Sequence, residues 1–181
     1  MRANKQSSGL VIGFCLLGLM GLAVMLPSRS EAVTNVGKAP KESVAQIKLS
    51  AVDGRQFSLA GLRGKVVVLD FFAIKCVHSR DHIIDTMNSY TDAEFDKGLQ
   101  IIGVESESSP VEQVRRYIKD QRMIYPVAQV DEPTFIRYVD SRDLSAPQTL
   151  VFGRDGKLLL HTIGHSDKNE AAIKAAVQKG L

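Results

Sequence analysis

The stretch Lys65-Val66-Val67-Val68-Leu69-Asp70-Phe71-Phe72, followed after three residues by Cys76, decides how this chain is read. A nearly unbroken apolar, β-branched run of this length predicts a central strand buried on both faces. Beyond Cys76, Ile83, Ile84, Met87 and Tyr90 recur at three- and four-residue spacings, predicting a helical segment that Lys97-Gly98 closes. Cys76 therefore stands between a buried strand and a helix N-terminus. Unpaired backbone N–H groups and the helix dipole at such a place favour a thiolate over a thiol. Lys75 and His78 add positive charge beside it, so Cys76 is a candidate nucleophile.

Working outward, Ile47-Lys48-Leu49 and Gln56-Phe57-Ser58-Leu59 flank Asp53-Gly54, a strong hairpin signal. Leu99–Val104 reads as a second buried strand. Pro110 opens a helix that ends near Gln121, and a short strand follows at Tyr125-Pro126-Val127, then a brief helix over 133–138. Gln148–Phe152 and Lys157–Ile163 flank Arg154-Asp155-Gly156, a second hairpin signal, and an amphipathic helix runs from about Asp167 to Lys179. Alternating strands and helices followed by a hairpin predict an α/β fold: a mixed central sheet flanked by helices, with an N-terminal β-hairpin extension.

With 181 residues, 44% of them hydrophobic and 24% charged, the chain has material for one globular domain and a short extra segment. Gly9–Leu26 is uncharged and apolar and follows Arg2 and Lys5, the pattern of an export signal or a single membrane anchor. Its length favours an anchor, whereas Ser30-Glu31-Ala32 resembles a small-x-small cleavage site; either way the body is expected outside the cytoplasm. The expected organisation is a signal peptide or anchor over 1–32, a tether over 33–45 and the domain over 46–181. Without residues 1–32 the chain carries 20 basic and 19 acidic side chains, which gives no electrostatic reason to bind nucleic acid. The two cysteines, Cys15 in the leader and Cys76 in the body, are not expected to pair. Phe14 before Cys15 argues against lipid attachment, which needs a small residue there.

Leu62-Arg63-Gly64-Lys65-Val66-Val67-Val68-Leu69-Asp70-Phe71-Phe72-Ala73, with Cys76-Val77-His78-Ser79-Arg80, resembles the membrane-tethered thiol-disulfide oxidoreductases of the TlpA/ResA type. The resemblance covers about residues 46–180 and extends to Ser145-Ala146-Pro147-Gln148-Thr149-Leu150 and Gly153-Arg154-Asp155-Gly156-Lys157. It implies a thioredoxin-like fold, a cis Pro147 facing Cys76, and a protein thiol or disulfide as partner. It further implies that the backbone at Ala146 pairs with an extended substrate segment, a form of strand addition. From the residues alone, Pro147 is an ordinary turn proline, because cis X–Pro bonds are uncommon. Lys75 stands where the family usually has tryptophan and joins Ala146 and Pro147 as a candidate substrate contact.

The departures shape the chemistry. The family motif is Cys-x-x-Cys, but Ser79 occupies the second position, and a hydroxyl cannot resolve a mixed disulfide. Two-electron dithiol chemistry by this chain alone is therefore excluded, which leaves monothiol exchange or isomerisation through Cys76, with Ser79 and His78 tuning it. Ser79 reads equally as a hydrogen-bond partner of the thiolate and as a local helix cap. The helix lacks the family's proline at Ile84. His82 falls where some members carry a glutamate that assists proton transfer.

Two alternatives follow from the residues. Cys76, His78 and His82 form a Cys-x-His-x3-His set of soft and borderline donors suited to copper or zinc. Loss of the second cysteine also fits a binding module that has kept the fold without redox chemistry. No cofactor is expected, and His161 and His165 read as strand and loop residues. A peroxidase is disfavoured because Ala73 stands three before Cys76, where peroxidases of this fold resemble Pro-x-x-x-Thr-x-x-Cys.

Overall fold

The computed structural model describes residues 36–38, 40–141 and 143–181. The leader 1–32, including Gly9–Leu26 and Cys15, lies outside the described residues. Among the described residues, no helix is long and apolar enough to cross a membrane.

The chain runs α1 (Glu42–Ala45), β1 (Leu49–Ser50), β2 (Gln56–Phe57), β3 (Val66–Phe72), α2 (Val77–Ser89), α3 (Asp92–Asp96) and β4 (Leu99–Glu105). It continues through α4 (Val111–Asp120), β5 (Val127–Gln129), α5 (Glu132–Val139), β6 (Gln148–Phe152), β7 (Leu158–Ile163) and α6 (Asp167–Gly180). The main sheet has the order β5-β4-β3-β6-β7, parallel on the β4 and β5 side and antiparallel on the β6 and β7 side. It is the mixed sheet that the strand and helix pattern predicts, and β1 and β2 form the separate hairpin around Asp53-Gly54.

β3 is the middle strand and every residue in it is buried. Because alternate strand residues point to opposite faces, Val67, Leu69 and Phe71 join one cluster with Phe135 and Tyr138 of α5. Val66 and Val68 face the other way, packing with Ile173 and Val177 of α6, while Phe72 meets Ile83 of α2 and Val114 of α4. Asp70 belongs to that second face and is fully buried, a carboxylate in an otherwise apolar strand.

Two differences from the sequence reading have local causes. The helical segment closed by Lys97-Gly98 is two helices, because Thr91 and Glu94 form a capping box that starts α3 afresh. The packed part of the chain also begins ahead of Gln46. Val44 and Ala45 of α1 are buried in the cluster that holds Phe71, Tyr138 and Leu158. Gly37 donates to the Leu158 carbonyl and Leu158 donates to the Lys38 carbonyl, so the segment is fastened to the start of β7. A four-residue helix has too few turns to give the periodic signal that reveals longer ones.

Candidate active site at the β3–α2 junction

Cys76 is the N-cap residue of α2, in extended backbone geometry, immediately after the buried β3. Its N–H donates to the Ala73 carbonyl and its own carbonyl accepts from Arg80 N–H, which fixes the strand-to-helix turn. The side chain is half-buried, and Sγ lies 3.4 Å from the Ala146 carbonyl oxygen. The Ala146–Pro147 peptide bond is cis. Cys76 and Ala146, seventy residues apart in the chain, thus meet, and the Ala146–Pro147 bond has the cis form that the resemblance implies.

The flanking residues divide by direction. Lys75 and His78 are exposed, at the rim. Ser79 is fully buried, and its Oγ accepts the Ala73 N–H at 3.3 Å. Its hydroxyl therefore braces the turn that carries Cys76.

Cys76 opens on a cleft of about 340 Å³ lined by Ala73, Ser106, Glu107, Glu132, Leu144 and Ala146. A larger cleft of about 490 Å³ lies between α1 and α5 and contains no thiol. The candidate thiol, Cys76, lines the smaller one.

The copper or zinc alternative requires a correction. His82 turns away from Cys76 and His78 and is buried in the protein. Its Nε2 lies 3.1 Å from Asp70 Oδ1 and 3.0 Å from Thr149 Oγ1, and its Nδ1 lies 2.5 Å from Glu170 Oε1. Among the described residues, Cys76, His78 and His82 do not converge as a ligand set. The i, i+4 spacing places the two histidines along one side of α2, but His82 is drawn to the buried carboxylates while His78 stays in solvent. Burial alone would lower the pKa of His82, yet Asp70 and Glu170 outweigh it and raise the group to about 10. A ring with a carboxylate on each nitrogen is held as imidazolium. Tyr125 donates to Asp70 Oδ2 at 3.4 Å, and burial followed by Asp70 pushes its phenol well above the usual range.

Sequence reasoning missed the residues that support the cleft from beneath. Gln148 Nε2 donates to the carbonyls of Asp143 and Ser145, and Gln148 Oε1 lies 2.9 Å from Nε2 of His161. This buried amide orders the segment that delivers Ala146 to the thiol. Across the cleft, buried Glu105 accepts from the N–H groups of Glu107 and Ser109, the Ser109 hydroxyl and the Gln129 amide, shaping the 106–109 loop. The available signal was a polar residue interrupting an apolar strand: Asp70 in β3, Glu105 ending β4, Gln148 opening β6.

The AhpC/TSA family profile matches residues 40–161. The thiol-disulfide oxidoreductase ResA of Bacillus cereus is 26% identical over 171 residues, which is 94% of each chain. Human NHL repeat-containing protein 2 is 29% identical over 121 residues, 64% of this chain but 16% of that one, so this chain matches about one-sixth of that relative. Among solved structures, a thiol:disulfide interchange protein of the thioredoxin family from Chlorobium tepidum has a TM-score of 0.64 at 25% identity. That match covers 83% of this chain and 98% of the other. The fold is thioredoxin-like.

Proposed function

The chain belongs to the AhpC/TSA family, and from that premise we propose that it is an extracytoplasmic thioredoxin-like protein that exchanges protein thiols and disulfides through Cys76 alone. The observation that carries this reading is Cys76 Sγ at the N-cap of α2, 3.4 Å from the carbonyl of Ala146, whose bond to Pro147 is cis. A disulfide sulfur entering the cleft would meet the thiolate there, while the partner's extended backbone runs along Ala146. The exported location rests on Gly9–Leu26, either as a retained anchor in the membrane or as a removed signal.

The step is an exchange without net oxidation. The Cys76 thiolate attacks one sulfur of the partner disulfide, a new S–S bond forms, and the other partner sulfur leaves as thiolate. Ser79 has no thiol to displace the partner, so release needs a second thiolate, either the partner's own, giving isomerisation, or one from an outside dithiol. Lys75 lends positive charge to the approach, the His78 ring stands at the rim, and Ser79 keeps Cys76 at the mouth of the cleft.

Ser79 in place of a second cysteine also supports a second reading, a module that binds a partner in this cleft without exchanging with it. Oxidised glutathione separates the two. In the full chain carrying Cys15→Ser, the folded protein should gain one glutathione on Cys76 faster than the urea-unfolded chain does, by about tenfold or more. The adduct should disappear on adding reduced glutathione and be absent in Cys76→Ala. A folded chain that reacts no faster than the unfolded one would overturn exchange and leave the binding module.

A further inference from the structure

One cluster of ligand-type side chains lies away from the thiol. Asp85 on α2, His165 in the loop after β7 and Glu170 in the first turn of α6 bring one donor atom each within 4.8 Å of the others. Asp85 is nine residues beyond Cys76 along α2, about 13 Å at the helical rise per residue. None of the three was assigned a function by the sequence reading.

The geometry suits a small cation. His165 Nε2 lies 2.8 Å from Asp85 Oδ2 and 3.9 Å from Glu170 Oε1. Ligand atoms around a tetrahedral zinc ion, with bonds near 2.0–2.1 Å, stand about 3.3 Å apart. The separations from His165 to Asp85 and to Glu170 bracket that value, and the third lies within 4.8 Å. His165 and Glu170 are largely sheltered, and Asp85 forms the half-exposed outer wall.

A contact from outside the cluster holds one of its three donors in place. His82, buried behind the cluster, donates Nδ1–H to Glu170 Oε1 at 2.5 Å, while its other nitrogen faces Asp70 and Thr149. A carboxylate ligand oriented by a buried imidazole is the outer-sphere support that metal sites commonly show.

We propose that Asp85, His165 and Glu170 form a binding site for a divalent first-row transition-metal ion of the zinc class, with His82 orienting Glu170 and the fourth position open to water. One imidazole with two carboxylates is a borderline donor set, better matched to zinc than to the oxygen-loving magnesium or calcium. The site is separate from Cys76 and does not depend on thiol exchange.

Equilibrium dialysis against zinc sulfate at neutral pH tests it, using the full chain with Cys15→Ser and Cys76→Ser so that no thiol contributes. The expected result is one zinc per chain, with affinity reduced by about tenfold or more in His165→Ala and in Asp85→Asn and unchanged in His78→Ala. No uptake, or uptake indifferent to His165→Ala, overturns the proposal. X-ray absorption on the zinc-loaded parent protects against misfolded variants: one imidazole with oxygen ligands supports the site, and two or more imidazoles refute it.

Discussion

Nε2 of His82 lies 3.1 Å from Oδ1 of Asp70, with both side chains buried and α2 thereby fastened to β3. Breaking one partner of such a pair strands the other charge in the interior, which typically costs about 3–5 kcal/mol. His82→Leu should destabilise the protein by that order in urea unfolding. Asp70→Asn combined with His82→Leu should lose less than the sum of the two single changes, because neither then leaves an uncompensated charge.

The same contact sets a pH dependence. His82 is raised from 6.5 to about 10 in the folded protein, burial opposing the shift and the two carboxylates imposing it. A group whose folded pKa is raised contributes stability that is fully present below the unfolded value and is lost as pH climbs through the folded one. Unfolding free energy should therefore decline between about pH 6.5 and 10, by an amount of order a few kcal/mol. In His82→Gln that part of the slope should vanish. A parent stability curve that stays flat across this window would contradict the buried imidazolium.

Gln148 should matter to the site more than its distance from the chemistry suggests. Its amide holds the carbonyls of Asp143 and Ser145 at 2.7 and 2.9 Å, and the same strand leads back through Pro147 to Ala146. Gln148→Leu removes both donors and the acceptor for His161, a loss of about 2–3 kcal/mol. Released from these bonds, the segment no longer fixes Ala146 against Sγ, and misplacement on the ångström scale is enough to slow reaction tenfold or more. We expect glutathione adduct formation at Cys76 to fall by about that factor while the thermal unfolding curve stays cooperative. Unchanged kinetics in a folded Gln148→Leu protein would show that the segment is positioned by other contacts.

What the sequence made legible follows from what each signal measures. β3 and β4 were readable because an apolar run reports burial directly, and both hairpins because Asp53-Gly54 and Asp155-Gly156 supply glycines with φ of +92° and +72°. The approach of Ala146 to Cys76 spans seventy positions, which no local pattern encodes; it came from resemblance. His82 was misdirected for the opposite reason. Spacing on α2 suggested a partnership with His78, but spacing is blind to Asp70 and Glu170, whose buried carboxylates claim both ring nitrogens. Polar residues inside apolar strands were the unread signal, since a buried carboxylate or amide demands partners and those partners build the walls of the cleft.

Ser79 offers the most direct test of a monothiol mechanism. It lies within the first turn of α2, fully buried, and its hydroxyl accepts the Ala73 N–H at 3.3 Å. Ser79→Ala deletes that bond and should lower stability by about 1 kcal/mol with little change in adduct formation, since no reacting atom is removed. Ser79→Cys instead supplies a thiol one helical turn from Cys76. A mixed disulfide at Cys76 would then be attacked from within, the outside partner would leave as thiolate, and an internal disulfide would remain. The glutathione adduct should decay at least about tenfold faster than in the parent, and both thiols should be lost to alkylation after oxidation. If the adduct persists equally in Ser79→Cys and in the parent, the turn does not let a second thiol at this position reach Sγ of Cys76, and the serine is then not what limits the native chain to a single-thiol step.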